Sequence, residues 1–157
     1  MKNDQAEAIR PLHVADLPAL KAVIDANELF PSAMLDEMTA PFLASEAAEE
    51  RWLTFDDGGP LGLAYYVPER MTDGTFNLLL IAVHPDRHGQ GIGAKLMAHA
   101  EADLAARGGR VLLVETSGLE AFARTRGFYH SIGYDEEARI REFYAAGEDK
   151  VVFRKAL

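Results

Sequence analysis

The stretch Leu78-Leu79-Leu80-Ile81-Ala82-Val83-His84-Pro85-Asp86-Arg87-His88-Gly89-Gln90-Gly91-Ile92-Gly93-Ala94-Lys95-Leu96-Met97 decides how this chain is read. An apolar, β-compatible run ends at a Pro-containing turn. The closely spaced Gly89, Gly91 and Gly93 then lead into a helix. Such an entry leaves several backbone N–H groups unpaired in the first helical turn, where the helix dipole also favours negative charge. Glycine lets a ligand approach the backbone without meeting a Cβ. The arrangement suits a pyrophosphate.

Composition frames the rest. At 157 residues and 48% hydrophobic content the chain is expected to be one domain, residues 1–157, with a core of its own. It has no cysteine, which excludes disulfides, thiolate nucleophiles and Cys-ligated metals and fits a reducing cytoplasm. Met1-Lys2-Asn3-Asp4-Gln5 is polar and leads to no long apolar segment, so neither a signal peptide nor a membrane span is expected. A net charge of -9 argues against a nucleic-acid footprint and fits solubility, with a slight preference for a cationic substrate.

Working outward, Ala8-Ile9-Arg10-Pro11-Leu12 is strand-like. Asp16 is placed to cap a helix whose Leu17, Leu20, Val23 and Ile24 recur at helical spacing, with Pro18 in its first turn. Ser32 reads as a second N-cap before Met34, Leu35, Met38 and Phe42, and Pro41 is expected to end or kink that helix. Trp52–Phe55 and Pro60–Val67 flank the turn Asp56-Asp57-Gly58-Gly59 as a hairpin, with Leu61, Leu63, Tyr65 and Val67 alternating. Phe76–Val83 reads as a strand buried on both faces. A helix follows over Gly91–Ala106, with Ile92, Leu96, Met97 and Ala100 inward and Arg107-Gly108-Gly109 as its stop. Val111–Val114 is another strand, and Leu119–Ile132 is mostly helical. Gly133–Arg141 and Val151–Lys155 form a final strand pair around Ala146-Gly147-Glu148-Asp149. The order predicts a mixed α/β domain with a single sheet.

These residues resemble the Gcn5-related N-acetyltransferases (GNAT). Val83–Met97 resembles the family's motif A, Gln/Arg-x-x-Gly-x-Gly/Ala after the fourth strand, which here reads His88-Gly89-Gln90-Gly91-Ile92-Gly93. Ile9-Arg10-Pro11 and Ala15-Asp16-Leu17 resemble its first strand and helix, and Phe128-Tyr129-His130-Ser131-Ile132-Gly133-Tyr134 its motif B. One departure is His88, where the family usually has Gln or Arg; Arg87 beside it is placed to compensate. The resemblance implies the acyl-CoA N-acyltransferase fold: a single mixed, largely antiparallel sheet, splayed between its fourth and fifth strands and flanked by helices. It also implies acetyl-CoA as cosubstrate.

By position, the main chain of Ile81, Ala82 and Val83 would hold the pantetheine arm, and one N–H there would stabilise the oxyanion of the tetrahedral intermediate. The amides of His88, Gly89, Gln90, Gly91, Ile92, Gly93 and Ala94 would surround the pyrophosphate. Tyr129 is the candidate acid for the departing thiolate, since a phenol in contact with it can donate a proton. Read structurally, it is a core ring hydrogen-bonded to a carbonyl. Glu115, at the end of the Val111–Val114 strand, is the candidate base for the acceptor ammonium, or a carboxylate that only binds substrate. Thr116 and Ser117 beside it either contact substrate or start the next turn.

No metal is expected. His84 and His88 are spaced i, i+4, but Pro85 and the glycines argue against a helix there and no third ligand lies nearby; His99 and His130 read as structural or surface residues. Asp149 and Lys150 are expected to pin the last hairpin or simply to face solvent. Two other readings stay open: a non-catalytic acyl-CoA-binding sensor on the same fold, and a dinucleotide-dependent oxidoreductase. Gly89-x-Gly91-x-x-Ala94 formally matches a dinucleotide fingerprint, but that motif should open directly from the strand and needs more βαβ units than follow Glu115. The acceptor, a small-molecule amine or a protein N-terminus or lysine, has no decisive motif. Family members are often dimers, so the resemblance leaves room for a homodimer.

Overall fold

The computed structural model describes residues 8–157; the polar Met1–Gln5 segment lies outside them. Strand β1 (Ala8–Pro11) leads through a single 3-10 turn into α1 (Leu17–Ala26), and α2 (Met34–Ala44) follows. The hairpin β2 (Arg51–Asp56) and β3 (Pro60–Pro68) precedes β4 (Thr75–Val83). Helix α3 (Ile92–Ala106), β5 (Val111–Ser117), α4 (Ala123–Ser131), β6 (Asp135–Ala145) and β7 (Glu148–Ala156) complete the chain. The seven strands form one open mixed sheet in the order β1-β2-β3-β4-β5-β7-β6. β4 and β5 pair in parallel from Thr75↔Val111 to Leu78↔Val114. That ladder stops there, although β4 runs on to Val83 and β5 to Ser117.

The chain divides into two compact units. The first comprises the chain through Val67 and Leu80–Ala100. Its core joins α1 and α2 to β2 and β3 through Leu17, Leu20, Val23, Ile24, Leu35, Trp52 and Leu63, with Tyr65 stacked on Trp52 at 4.0 Å between ring centroids. Each fully buried Leu or Ile there contributes about 2 kcal/mol of apolar transfer. The second unit comprises Pro68–Leu79 and Glu101–Leu157. Leu112, Val114, Tyr129, Tyr134, Val151 and Phe153 are its buried residues around β5 and β7.

The helical spacings and the hairpin are found where the sequence placed them. The caps differ. Asp16 does not cap α1 with its side chain; its carboxylate accepts instead from Arg10, the His13 amide and Thr54, because a guanidinium partner in a buried site outweighs a neutral amide. Ser32 does not cap α2, whose N-cap is Ala33. The amides of Met34 and Leu35 bond to the main-chain carbonyls of Pro31 and Ser32, leaving the hydroxyl no role. Pro41 does not end that helix, which runs on to Ala44. The carbonyl it deprives of a donor belongs to Glu37, an exposed residue.

Four expectations about the strands and their connections are also corrected. β4 is not buried on both faces along its whole length, since Leu79 is 52% exposed, although Asn77 and Leu78 before it are only 3% and 4% exposed. In β3, Ala64 and Tyr66 are buried as well as Leu63, so both faces are covered rather than one. β5 extends through Ser117, which puts Glu115 inside the strand rather than at its end. The connection between β6 and β7 is only Ala146-Gly147, with Glu148 and Asp149 already in β7.

Candidate active site

In the first unit, β4 hands the chain to a turn that is held on several sides. The His84 amide donates to Leu61 O at 2.8 Å, and its ring Nδ1 accepts from the Asp86 amide at 3.2 Å. One 3-10 turn, Pro85–Arg87, reverses the direction. Arg87 joins this turn to the one between β2 and β3: Nη2 lies 2.8 Å from Asp57 Oδ2, and Nε lies 2.8 Å from Gln90 Oε1 in its own loop. These two bonds brace the turn. His88 folds back on the strand, with Nε2 2.7 Å from Val83 O, a carbonyl that also accepts from Asn27 Nδ2 at 3.0 Å.

Beyond His88 the backbone opens. Gly89 and Gly91 have φ of +76° and +78°, and a Cβ at either would meet nothing within 4 Å. Left-handed backbone at these alternate positions turns successive amides to one side, the geometry of an anion-binding nest. The first helical bond of α3 runs from the Lys95 amide to Gly91 O at 3.1 Å. Among the described residues, the amides of Gly89, Gln90, Gly91, Ile92, Gly93 and Ala94 have no hydrogen-bond acceptor. The His88 amide, grouped with them from the sequence, is taken by Pro85 O at 3.2 Å. This run of free amides at the positive end of a helix fits a pyrophosphate.

The second unit carries the two candidate catalytic side chains. Tyr129 sits on α4, 3% exposed, its ring 5.2–5.8 Å between centroids from Phe128, Phe153 and Tyr134. Burial pushes its phenol well above the usual range. Its hydroxyl has no hydrogen-bond partner among the described residues, so the ring is packed as a core tyrosine while the carbonyl contact expected of one is missing. Glu115 is half-buried on β5. Its Oε1 accepts from Asn77 Nδ2 at 3.2 Å and its Oε2 pairs with Lys150 Nζ at 3.0 Å. Lys150 in turn lies 4.0 Å above the Phe143 ring. Ser117 starts the following turn, its hydroxyl accepting from the Leu119 amide at 3.1 Å. Asp149 pins the last hairpin, accepting from Arg139 Nη1 at 3.1 Å and the Glu142 amide at 3.0 Å.

Asn77 and Lys150 are the partners of Glu115 that sequence reasoning did not assign. For Asn77 the signal was present: a single amide inside the otherwise apolar run Phe76–Val83. Among the described residues no group of three His, Cys, Asp or Glu side chains could hold a metal ion. No helix among them is long and apolar enough to cross a membrane.

Comparison with known proteins gives the class. The acetyltransferase (GNAT) domain family matches residues 47–136. A GNAT-family protein from Desulfovibrio desulfuricans is 33% identical with a TM-score of 0.89, over 96% of this chain and 99% of that one. The ribosomal-protein-S18-alanine N-acetyltransferase of Escherichia coli (23% identity, TM-score 0.76, 96% and 94% covered) shares the fold. So does yncA of Salmonella typhimurium, solved with its cofactor acetyl-CoA (20% identity, TM-score 0.80, 98% and 95% covered). No curated protein matches the sequence. The chain belongs to the GNAT family of acetyltransferases.

Proposed function

We propose that this protein is an N-acetyltransferase that moves the acetyl group of acetyl-CoA to a primary amine by direct attack, without a covalent enzyme intermediate. The observation that carries this reading is the run of unpaired amides from Gly89 to Ala94 at the start of α3. Those amides hold the pyrophosphate of the cosubstrate. The main chain of Ile81 and Ala82 takes the pantetheine arm, with Val83 contributing through its N–H, since Asn27 and His88 occupy its carbonyl. A donor of this kind on the thioester oxygen stabilises the oxyanion by roughly 3–4 kcal/mol.

Glu115 receives the proton that the acceptor ammonium must lose, and the freed amine forms the C–N bond at the thioester carbon. The C–S bond then breaks, and Tyr129 donates its hydroxyl proton to the departing thiolate. Relatives of the same fold act on a ribosomal-protein alanine and on aminoglycosides. A peptide with a free N-terminus and an amino sugar therefore head the list of acceptors to try.

The test is a thermal-shift titration followed by thiol release over a panel of primary amines. Acetyl-CoA at about 100 times its Kd should stabilise the fold by roughly 2.7 kcal/mol, whereas NAD should leave it unmoved. No shift with acetyl-CoA overturns the reading. A shift with no thiol release against any amine would favour the non-catalytic sensor instead.

A further inference from the structure

We propose that Asn77 is a positioning residue for Glu115, anchored in turn by Glu69. The inference rests on the reading of Glu115 as the base and extends it by naming what holds that carboxylate still.

Asn77 stands on β4 beside β5, paired with Leu113, so that Glu115 is the next residue along on the same face of the neighbouring strand. Its amide nitrogen is shared between two carboxylates: Glu115 Oε1 at 3.2 Å and Glu69 Oε1 at 3.0 Å. Glu69 is itself tied to the start of β4, its amide donating to Thr75 O at 2.8 Å. The Asn77 oxygen is buried and has no hydrogen-bond partner. Turning the amide over would not help, because it would set that oxygen against two carboxylates and leave the NH2 group orphaned. The side chain therefore keeps both donors on the acids and leaves an acceptor unsatisfied, an arrangement that an apolar residue in the same β-strand would avoid.

A residue that only filled space here would serve better as leucine. What asparagine adds is a fixed direction for Glu115. With Lys150 on Oε2 and Asn77 on Oε1, both oxygens of the carboxylate are held, and its plane is set before any acceptor arrives. Glu69 completes the device by restraining the amide that does the holding.

The experiment is a double-mutant cycle on the full chain with Asn77→Leu and Glu115→Gln. It is read as released thiol at saturating acetyl-CoA, using the panel amine turned over fastest, or water as acceptor where no amine is faster. Asn77→Leu alone should lower kcat by about 10- to 100-fold with the KM for acetyl-CoA little changed, and its melting temperature should not fall. In the Glu115→Gln background the same change should lower kcat by less than about 2-fold, because nothing is left to position. An equal loss in both backgrounds, or no loss in the wild-type background, overturns the positioning role while the base reading stands. Full activity of Glu115→Gln removes the base reading and the proposal with it.

Discussion

Arg10 and Asp16 form a two-pronged ion pair, Nη1 to Oδ2 at 2.7 Å and Nη2 to Oδ1 at 2.8 Å, across the junction between β1 and α1. Asp16 is 4% exposed and also receives the His13 amide at 2.8 Å and the Thr54 hydroxyl at 3.0 Å. Burial is the largest single influence and pushes its carboxyl up. The hydrogen bonds from Arg10, His13 and Thr54 together outweigh it and bring the group down to about 2. The folded value thus lies below the unfolded one, so the stabilisation is complete above about pH 4 and is lost as pH falls from about 4 towards 2. It amounts to roughly 2 kcal/mol. Asp16→Asn should lose about that much stability at pH 7 and show a flatter urea midpoint between pH 4 and 2. A variant with the wild-type slope in that window would assign the acid sensitivity elsewhere.

Tyr129→Phe separates the hydroxyl from the ring. The ring packs against Phe128, Tyr134 and Phe153, and the phenylalanine keeps all of that, so the melting temperature should stay within a few degrees. Turnover should fall by about 10- to 1000-fold with the acetyl-CoA Kd nearly unchanged, the signature of a group used only as the thiolate leaves. Burial raises the phenol and so disfavours its ionised form. The wild-type rate should therefore not decline from pH 8 to 10 through loss of this proton. Unchanged turnover in the variant would remove Tyr129 from the chemistry.

The glycine-rich turn and the surroundings of Glu115 differ in how much of them the sequence declares. The glycine-rich turn is local: Gly89, Gly91 and the helix that follows lie within one short stretch, and backbone conformation is what the motif encodes. Helix faces such as Leu17, Leu20, Val23 and Ile24 are legible for the same reason. The environment of Glu115 is assembled from Asn77, Lys150 and Phe143, far apart in sequence, and no spacing rule links them. The caps misread at Asp16 and Ser32 failed through competition between partners. Each residue had a plausible local partner, and in each case another group offered the better bond: the Arg10 guanidinium and the sequence-distant Thr54 hydroxyl for Asp16, and main-chain carbonyls for the amides near Ser32.

His88 supplies a testable account of the departure from the usual motif. A carbonyl only accepts, so the contact with Val83 O fixes the hydrogen on Nε2 and ties the turn to the end of β4. Glutamine can donate the same bond, whereas alanine cannot. A neutral hydrogen bond worth about 1 kcal/mol corresponds to roughly 5-fold in affinity. His88→Ala should raise the acetyl-CoA Kd by about that factor, and His88→Gln by less than about 2-fold, measured by calorimetry. If both substitutions are silent, the ring contact does not organise the turn.

Gly91→Val tests the site where its two requirements meet. A branched residue at φ +78° is strained by roughly 1–3 kcal/mol, so the variant should melt lower than wild type even without ligand. That loss alone says nothing about binding, and a second glycine separates the effects. Gly147, in the β6–β7 turn, has φ +77° and is equally open around its absent Cβ. Gly147→Val should therefore suffer comparable strain while keeping the full stabilisation by acetyl-CoA. At Gly91 the added side chain stands among amides that have no acceptor of their own and covers them, so the acetyl-CoA-induced shift should vanish. A Gly91→Val protein that still gains the wild-type shift would mean that the phosphates are held somewhere other than the start of α3.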